Sequence, residues 1–280
     1  MSRPHRSLLY FSWFEGEGAF VVKFLALFLG TVLVIGLFTH YAGLGSDSYG
    51  VVHFAQHLSR GKFYSDYPVY HWFKTDWEKG KGYWVLGGNY HLRDGKMFCK
   101  YMIGYPLLLA ASLRLFGACS IYFFNIFSLV LLLLLYFLFV REVLSFRSHR
   151  DLLALGATVL LLLLIEKIWD TAVKPVHDLP ALTVLIAGLY LGIRSLANRG
   201  RISWGFLVSG SFCLGFSGSV RLPNVLIAFP AAAYLFSRLI GKARAGKIWL
   251  VIAAVAIAFA LGLVPVLIQN QLSTGNPLKP

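Results

Sequence analysis

Long apolar runs separated by short basic segments organise this chain of 280 residues. The hydrocarbon core of a bilayer takes about 20 consecutive apolar residues of helix. Four runs meet that length, at 24–42, 118–140, 202–220 and 248–268. Three others, at 152–165, 179–193 and 222–237, have shorter uncharged cores and would cross only with their flanks included. A further apolar piece, 101–113, is too short to cross unaided and is expected to lie at the interface or to re-enter. The pattern predicts an all-α polytopic membrane protein of about seven transmembrane helices, with one large loop after the first.

Composition agrees. Hydrophobic residues make up 58% of the chain, against about 45–50% in soluble domains. The net charge of +14 could suggest a nucleic-acid partner, but the Lys and Arg residues fall mainly between apolar runs. Arg3, Arg6 and Lys23 precede the first run. Arg141, Arg147 and Arg150, then Arg194, Arg199 and Arg201, then Arg238, Lys242, Arg244 and Lys247 follow later ones. Such clusters mark cytoplasmic segments, so no nucleic-acid partner is expected. With all four clusters inside, the chain crosses seven times, N-terminus in and C-terminus out, provided 101–113 is not a span. The first run begins too late for a secretory signal, lacks a small-residue cleavage pattern, and reads as an uncleaved anchor.

This topology divides one membrane domain into a cytoplasmic N-terminus (1–21), an extracytoplasmic loop (42–117), a helical bundle (118–268) and an extracytoplasmic tail (269–280). It also sorts the 12 acids. Glu15, Glu17, Glu142 and Asp151 face the cytoplasm. Asp47, Asp66, Asp76, Glu78, Asp94, Glu166, Asp170 and Asp178 face outward. Carboxylate chemistry therefore belongs to the outer face.

The first outer loop is far longer than most connections, and loops of that length usually carry function. From Asp47 to Leu58, apolar residues at Val51, Val52, Phe54, Ala55 and Leu58 share one helical face. Ser46 or Asp47 is a plausible N-cap, and Arg60-Gly61-Lys62 a stop. Residues 89–98 read as a hairpin turning on Asp94-Gly95. The chain re-enters the apolar region through Lys100-Tyr101-Met102-Ile103-Gly104-Tyr105-Pro106, where Pro106 can begin a helix.

The residues that could carry chemistry each have a plainer reading. Asp47 is either a base at the membrane surface or a helix cap. Arg221 stands where the inside rule disfavours a cation. It reads either as a phosphate anchor, through its planar fork, or as a headgroup-level arginine. Asp178, with His177 and Lys174, reads as a substrate or metal cluster, or as the cap of a helix starting near Pro180. His53 and His57 have the i, i+4 spacing of a zinc-binding helix but lack the Glu of H-E-x-x-H, and are read as surface or interfacial histidines. The Tyr and Trp residues of 63–90 could stack on sugars or form an interfacial belt. Cys99, Cys119 and Cys213 are too scattered for a disulfide framework or a CxxC metal site.

Four segments together resemble the N-terminal half of a GT-C class membrane glycosyltransferase, similar to the protein O-mannosyltransferases and the aminoarabinose transferases of lipid A. They are Asp47-Ser48-Tyr49 with the helix ending Leu58-Ser59-Arg60-Gly61; Asp94-Gly95-Lys96 with Lys100 to Leu108; His177-Asp178-Leu179-Pro180; and Asn270 with Ser273-Thr274-Gly275-Asn276-Pro277-Leu278. Met102-Ile103 replaces a proline pair common in that class, and relatives usually continue with further spans. The resemblance implies an enzyme of a prokaryotic inner membrane. It would move a sugar from a polyprenyl-phosphate donor to a glycan, lipid or protein acceptor, typically with inversion. Asp47 would be the general base, and Arg221, Asp178, His177, Lys174, Tyr49 and Lys100 would bind substrate, with room for a divalent metal. The rival readings are a transporter, or a non-catalytic scaffold or lipid-binding subunit.

Overall fold

The computed structural model describes residues 30, 46–66, 90–93, 96–144, 151, 153, 155–158, 165–196, 202–240 and 248–278. The predicted first span apart from Gly30, and most of the run at 152–165, lie outside the described residues, as do the loop's middle and the Asp94-Gly95 turn.

Helix α1 (Ser46–Ser59) buries Val51, Val52, Phe54, Ala55 and Leu58, the face that the apolar spacing predicts. It ends as expected. Gly61 takes φ 77°, its N–H reaches Leu58 O at 2.9 Å, and Lys62 N–H reaches His57 O at 2.9 Å. This paired closure satisfies carbonyls the last turn leaves open. The N-cap expectation does not hold: Ser46 and Asp47 are themselves helical.

Strands β1 (Ser65–Asp66), β2 (Tyr90–Arg93) and β3 (Lys96–Cys99) form a small antiparallel sheet in the order β1-β3-β2. Pairing of Arg93 with Lys96 leaves two residues between the strands, the spacing of the predicted hairpin. The edge pairing of Ser65 with Met97 and of Asp66 with Lys96 was not legible in a segment without period.

The return segment becomes helix α2 (Gly104–Phe116), too short to cross a bilayer. Pro106 is its third residue, where an absent N–H costs no helical bond. Then follow α3 (Ser120–Leu144), α4 (Glu166–Val173), α5 (Asp178–Ser195), α6 (Trp204–Val220), α7 (Asn224–Ile240) and α8 (Ile248–Thr274). Helix α8 continues past the predicted span end at 268, so Gln269 to Thr274 are helical.

Three of these helices, α3, α5 and α8, are long and apolar enough to cross a membrane; α2, α6 and the first part of α7 are apolar but shorter. The chain is thus a helical membrane protein carrying a small sheet. Leu226, Phe229, Trp249, Leu250, Ile257 and Leu261 project outward on α7 and α8, a surface that suits acyl chains.

Small residues hold the bundle together. A Cβ on Gly210 would come within 2.9 Å of Gly192 N, and one on Gly188 within 2.8 Å of Leu214, so α5 and α6 approach backbone to backbone. Gly215 and Gly262 do the same for α6 and α8, where Ser219 Oγ donates to Gly262 O at 2.8 Å. In lipid there is no hydrophobic drive between helices, so close approach and such bonds do the joining. At one end of the bundle Arg194 on α5 meets Glu142 on α3 at 3.1 Å.

Candidate functional site

The starts of α1, α2, α3 and α5 and the last residue of α6 meet at the opposite end. One buried cluster there joins Val51, Ile103, Tyr105, Ile121, Ala181 and Val220. Three devices, two of them polar, fix the loops around it.

The first is Asn125, 1% exposed in the second turn of α3. Its Oδ1 accepts from Tyr105 Oη at 2.9 Å. Its Nδ2 donates to the carbonyls of Thr171, Lys174 and Val176 at 3.2, 2.5 and 2.8 Å. Two protons face three oxygens, so one proton is shared. A single amide thus ties the return segment to the loop that precedes Asp178.

The second is Gln269 on α8. Its Nε2 donates to Cys99 O and Tyr101 O, both at 2.8 Å, and its Oε1 accepts from Ile103 N–H at 2.8 Å. Arg93 Nη1 adds a bond to Leu272 O at 3.3 Å, favourable beside the negative end of α8. Beyond that end, Asn270 Nδ2 reaches forward to Pro277 O at 3.0 Å, and Asn276 Oδ1 accepts from Leu278 N–H at 2.9 Å. The Asn270–Leu278 segment is therefore a folded helix terminus.

The third is an absence of bulk. A Cβ on Gly104 would lie 2.6 Å from the backbone of Ser219 and Val220. Glycine alone lets α2 begin against the end of α6, one residue before Arg221.

Arg221 and Asp178, predicted from separate loops, come together. Arg221 Nη1 lies 2.7 Å from Asp178 Oδ1, an ion pair whose alignment falls short of a hydrogen bond. Both side chains are nearly half exposed. His177 Nε2 stands 3.8 Å from the same oxygen. Asn224 Nδ2 donates to Ala181 O at 3.1 Å, fixing the segment after Arg221 to the first turn of α5. The capping role considered for Asp178 is corrected: α5 begins at Asp178, the preceding position makes no side-chain cap bond, and the carboxylate turns to Arg221.

Lys174 does not join them; it pairs with Asp170 one turn back on α4. Lys100, the residue after β3, is half-buried. Tyr49 is 58% exposed, its ring parallel to His53 at 5.9 Å. Asp47 sits in the first turn of α1, and its side chain lies outside the described residues.

His53 is more enclosed than a surface residue. Tyr90 Oη is 3.1 Å from its Nδ1, and the His57 ring stands edge-on with centroids 4.7 Å apart. Burial, and secondarily the neighbouring His57, lowers the His53 pKa; burial raises that of Tyr90.

Asn125, Tyr105 and Gln269 carry the site's geometry, and sequence reasoning passed over all three as such. The signal for Asn125 was one amide inside an apolar run, and for Gln269 a polar residue at the predicted end of a span. Among the described residues, no three or more His, Cys, Asp or Glu gather as a metal site, and all three cysteines are free. No known family model, curated protein or solved structure matches the chain.

Proposed function

We propose that the chain is a membrane glycosyltransferase that moves a sugar from a polyprenyl-phosphate carrier to an acceptor on the extracytoplasmic face. The observation that carries this reading is the Arg221–Asp178 pair at the bundle end shared by α1 and the hairpin. An exposed ion pair is worth about 0–1 kcal/mol, whereas a hydrogen bond to a charged group contributes about 1.5–3 kcal/mol. A phosphate can therefore recruit Arg221 from Asp178 at small cost, and Asp178 keeps the guanidinium oriented until it does.

In the reaction, Asp47 takes the acceptor proton as the acceptor oxygen attacks the anomeric carbon. The bond from that carbon to the phosphate oxygen breaks, and Arg221 stabilises the departing phosphate. A positioned base contributes about 10²–10⁴-fold. Asp178 lies at a helix end rather than in mid-span, which favours a surface transferase over a transporter, whose ionisable groups belong near the bilayer centre.

The test is transfer from a panel of polyprenyl-phosphate sugars by the unmutated chain, Asp47→Asn and Arg221→Ala. Asp47→Asn should lower kcat by about 10²-fold or more, and Arg221→Ala should weaken use of the phosphate donor. Equal turnover by Asp47→Asn and the unmutated chain removes Asp47 from the mechanism.

A further inference from the structure

The corner where α2 meets α3 shows a bare apolar surface beside a single cation. Arg114, Leu115 and Phe116 close the last turn of α2, and all are exposed, Leu115 at 75% and Phe116 at 73%. The corner is a built turn. Gly117 N–H closes α2 on Leu113 O at 3.0 Å, and Gly117 O accepts from Ser120 N–H at 3.1 Å and from Ser120 Oγ at 2.8 Å. Tyr122 and Phe123 carry the exposed surface onto α3.

Two spans give the depth of α2. At about 1.5 Å per residue, about 20 residues cross the roughly 30 Å hydrocarbon layer. Counted along α3 from Arg141, beside the Glu142–Arg194 pair at the far end, the near boundary falls at Ile121, just after the corner. Counted along α8 from Trp249, an exposed residue of its first turn, it falls at Gln269. Val251 of α8 packs with Leu207 and Leu196, so both counts start from the same end of the bundle. Gln269 in turn binds Cys99 O, Tyr101 O and Ile103 N–H, the residues that lead into α2. Both ends of α2 therefore stand at one depth, and the 13 residues between them run along the boundary.

We propose that α2 lies in the plane of the membrane boundary at this end of the bundle and that its last turn is a wedge for anionic phospholipid. Leu115 and Phe116 enter the acyl chains of that leaflet, and Arg114 takes the lipid phosphate. Continuity with the lipid-facing side of α3 and the charge of Arg114 together select this occupant. An arginine can lay its stem along acyl chains and keep its head at headgroup level, and its planar fork suits a phosphate. Of the two placements open to the apolar piece 101–113, the wedge takes the interfacial one. It stands apart from sugar transfer and holds whichever side of the membrane this end faces.

The test uses the full chain in nanodiscs of mixed phosphatidylcholine and phosphatidylglycerol. Bimane is attached through Phe116→Cys in a background of Cys119→Ser and Cys213→Ser, with buried Cys99 left in place. Nitroxides on lipid acyl chains should quench this bimane, and iodide in the water should not. Bimane attached instead through Gln56→Cys, at an exposed position of α1, should show the reverse. A basic residue at an anionic surface contributes about fivefold in association. Nitroxide-bearing phosphatidylglycerol should therefore be preferred over its phosphatidylcholine analogue by about fivefold, and Arg114→Gln should remove the preference. Quenching at position 116 by iodide and not by lipid would overturn the proposal. Shielding from both quenchers would overturn it too, because a second copy or another protein would then cover the corner. Lipid quenching with no phosphatidylglycerol preference, or with one that survives Arg114→Gln, would overturn the phosphate contact.

Discussion

Replacing Asn125 by leucine keeps the side chain's volume and removes all four of its hydrogen bonds. The magnitude follows from what is left behind. Bonds between helices in lipid average about 0.6 kcal/mol, and those in water-soluble proteins about 1 kcal/mol. Four contacts therefore predict a loss of about 2–4 kcal/mol. Much of this is the cost of the Tyr105 hydroxyl, which is fully buried and would have lost the acceptor it uses. An orphaned donor costs about 1–3 kcal/mol.

That asymmetry supplies the sharper measurement. Tyr105→Phe alone should cost about 1–2 kcal/mol, because it leaves Asn125 Oδ1 without its donor. In the double variant Tyr105→Phe, Asn125→Leu, neither orphan exists, so the combined loss should fall short of the sum by about 1–2 kcal/mol. Unfolding of each variant by denaturing detergent in mixed micelles reads all four corners of the cycle. A loss below about 1 kcal/mol for Asn125→Leu, or simple additivity, would refute the account of Asn125 as the amide that binds the two loops.

Gly104→Ala places a Cβ 2.6 Å from the backbone of Ser219 and Val220, and backbone cannot yield as a side-chain tip can; a loss of about 1–3 kcal/mol in the same unfolding assay is expected. Gln269→Leu removes three bonds to residues 99–103, so amides of that segment should exchange hydrogen about ten- to a hundredfold faster, consistent with a loss of about 1.5–3 kcal/mol. Cys99 is buried and its thiol is pushed up to about 12 from 9.0 by desolvation, so the folded state binds the proton more tightly. Its contribution to stability is present in full below pH 9 and is lost as the pH rises towards 12, and maleimide at pH 8 should label exposed Cys119 well before Cys99.

The legible parts of the fold were those in which one local pattern decides the outcome. The apolar face of α1 repeats at helical spacing, and Gly61 supplies the left-handed residue that ends it, so both could be read from neighbours in sequence. The hairpin was legible for the same reason. Illegible were relations between distant residues. Nothing around Asn125 states that three carbonyls some 46 to 51 positions later will converge on it, and nothing around Gly104 announces the backbone of Ser219. Asp178 shows the limit within a single residue. Its place before Leu179-Pro180 favours a cap on local grounds, yet a long-range partner, Arg221, takes the carboxylate.

The same distinction explains why the site assembles where it does. Each loop at this end is anchored by a residue buried in a helix rather than by its own sequence: Asn125 holds 171–176, Gln269 holds 99–103, and Asn224 fixes the turn after Arg221 to the start of α5. Exposed pairs such as Arg221–Asp178 contribute little to stability, so the helices carry the positioning and leave the charged groups free to exchange partners. A catalytic or binding arginine needs that division, because a guanidinium locked into a buried pair would cost several kcal/mol to release.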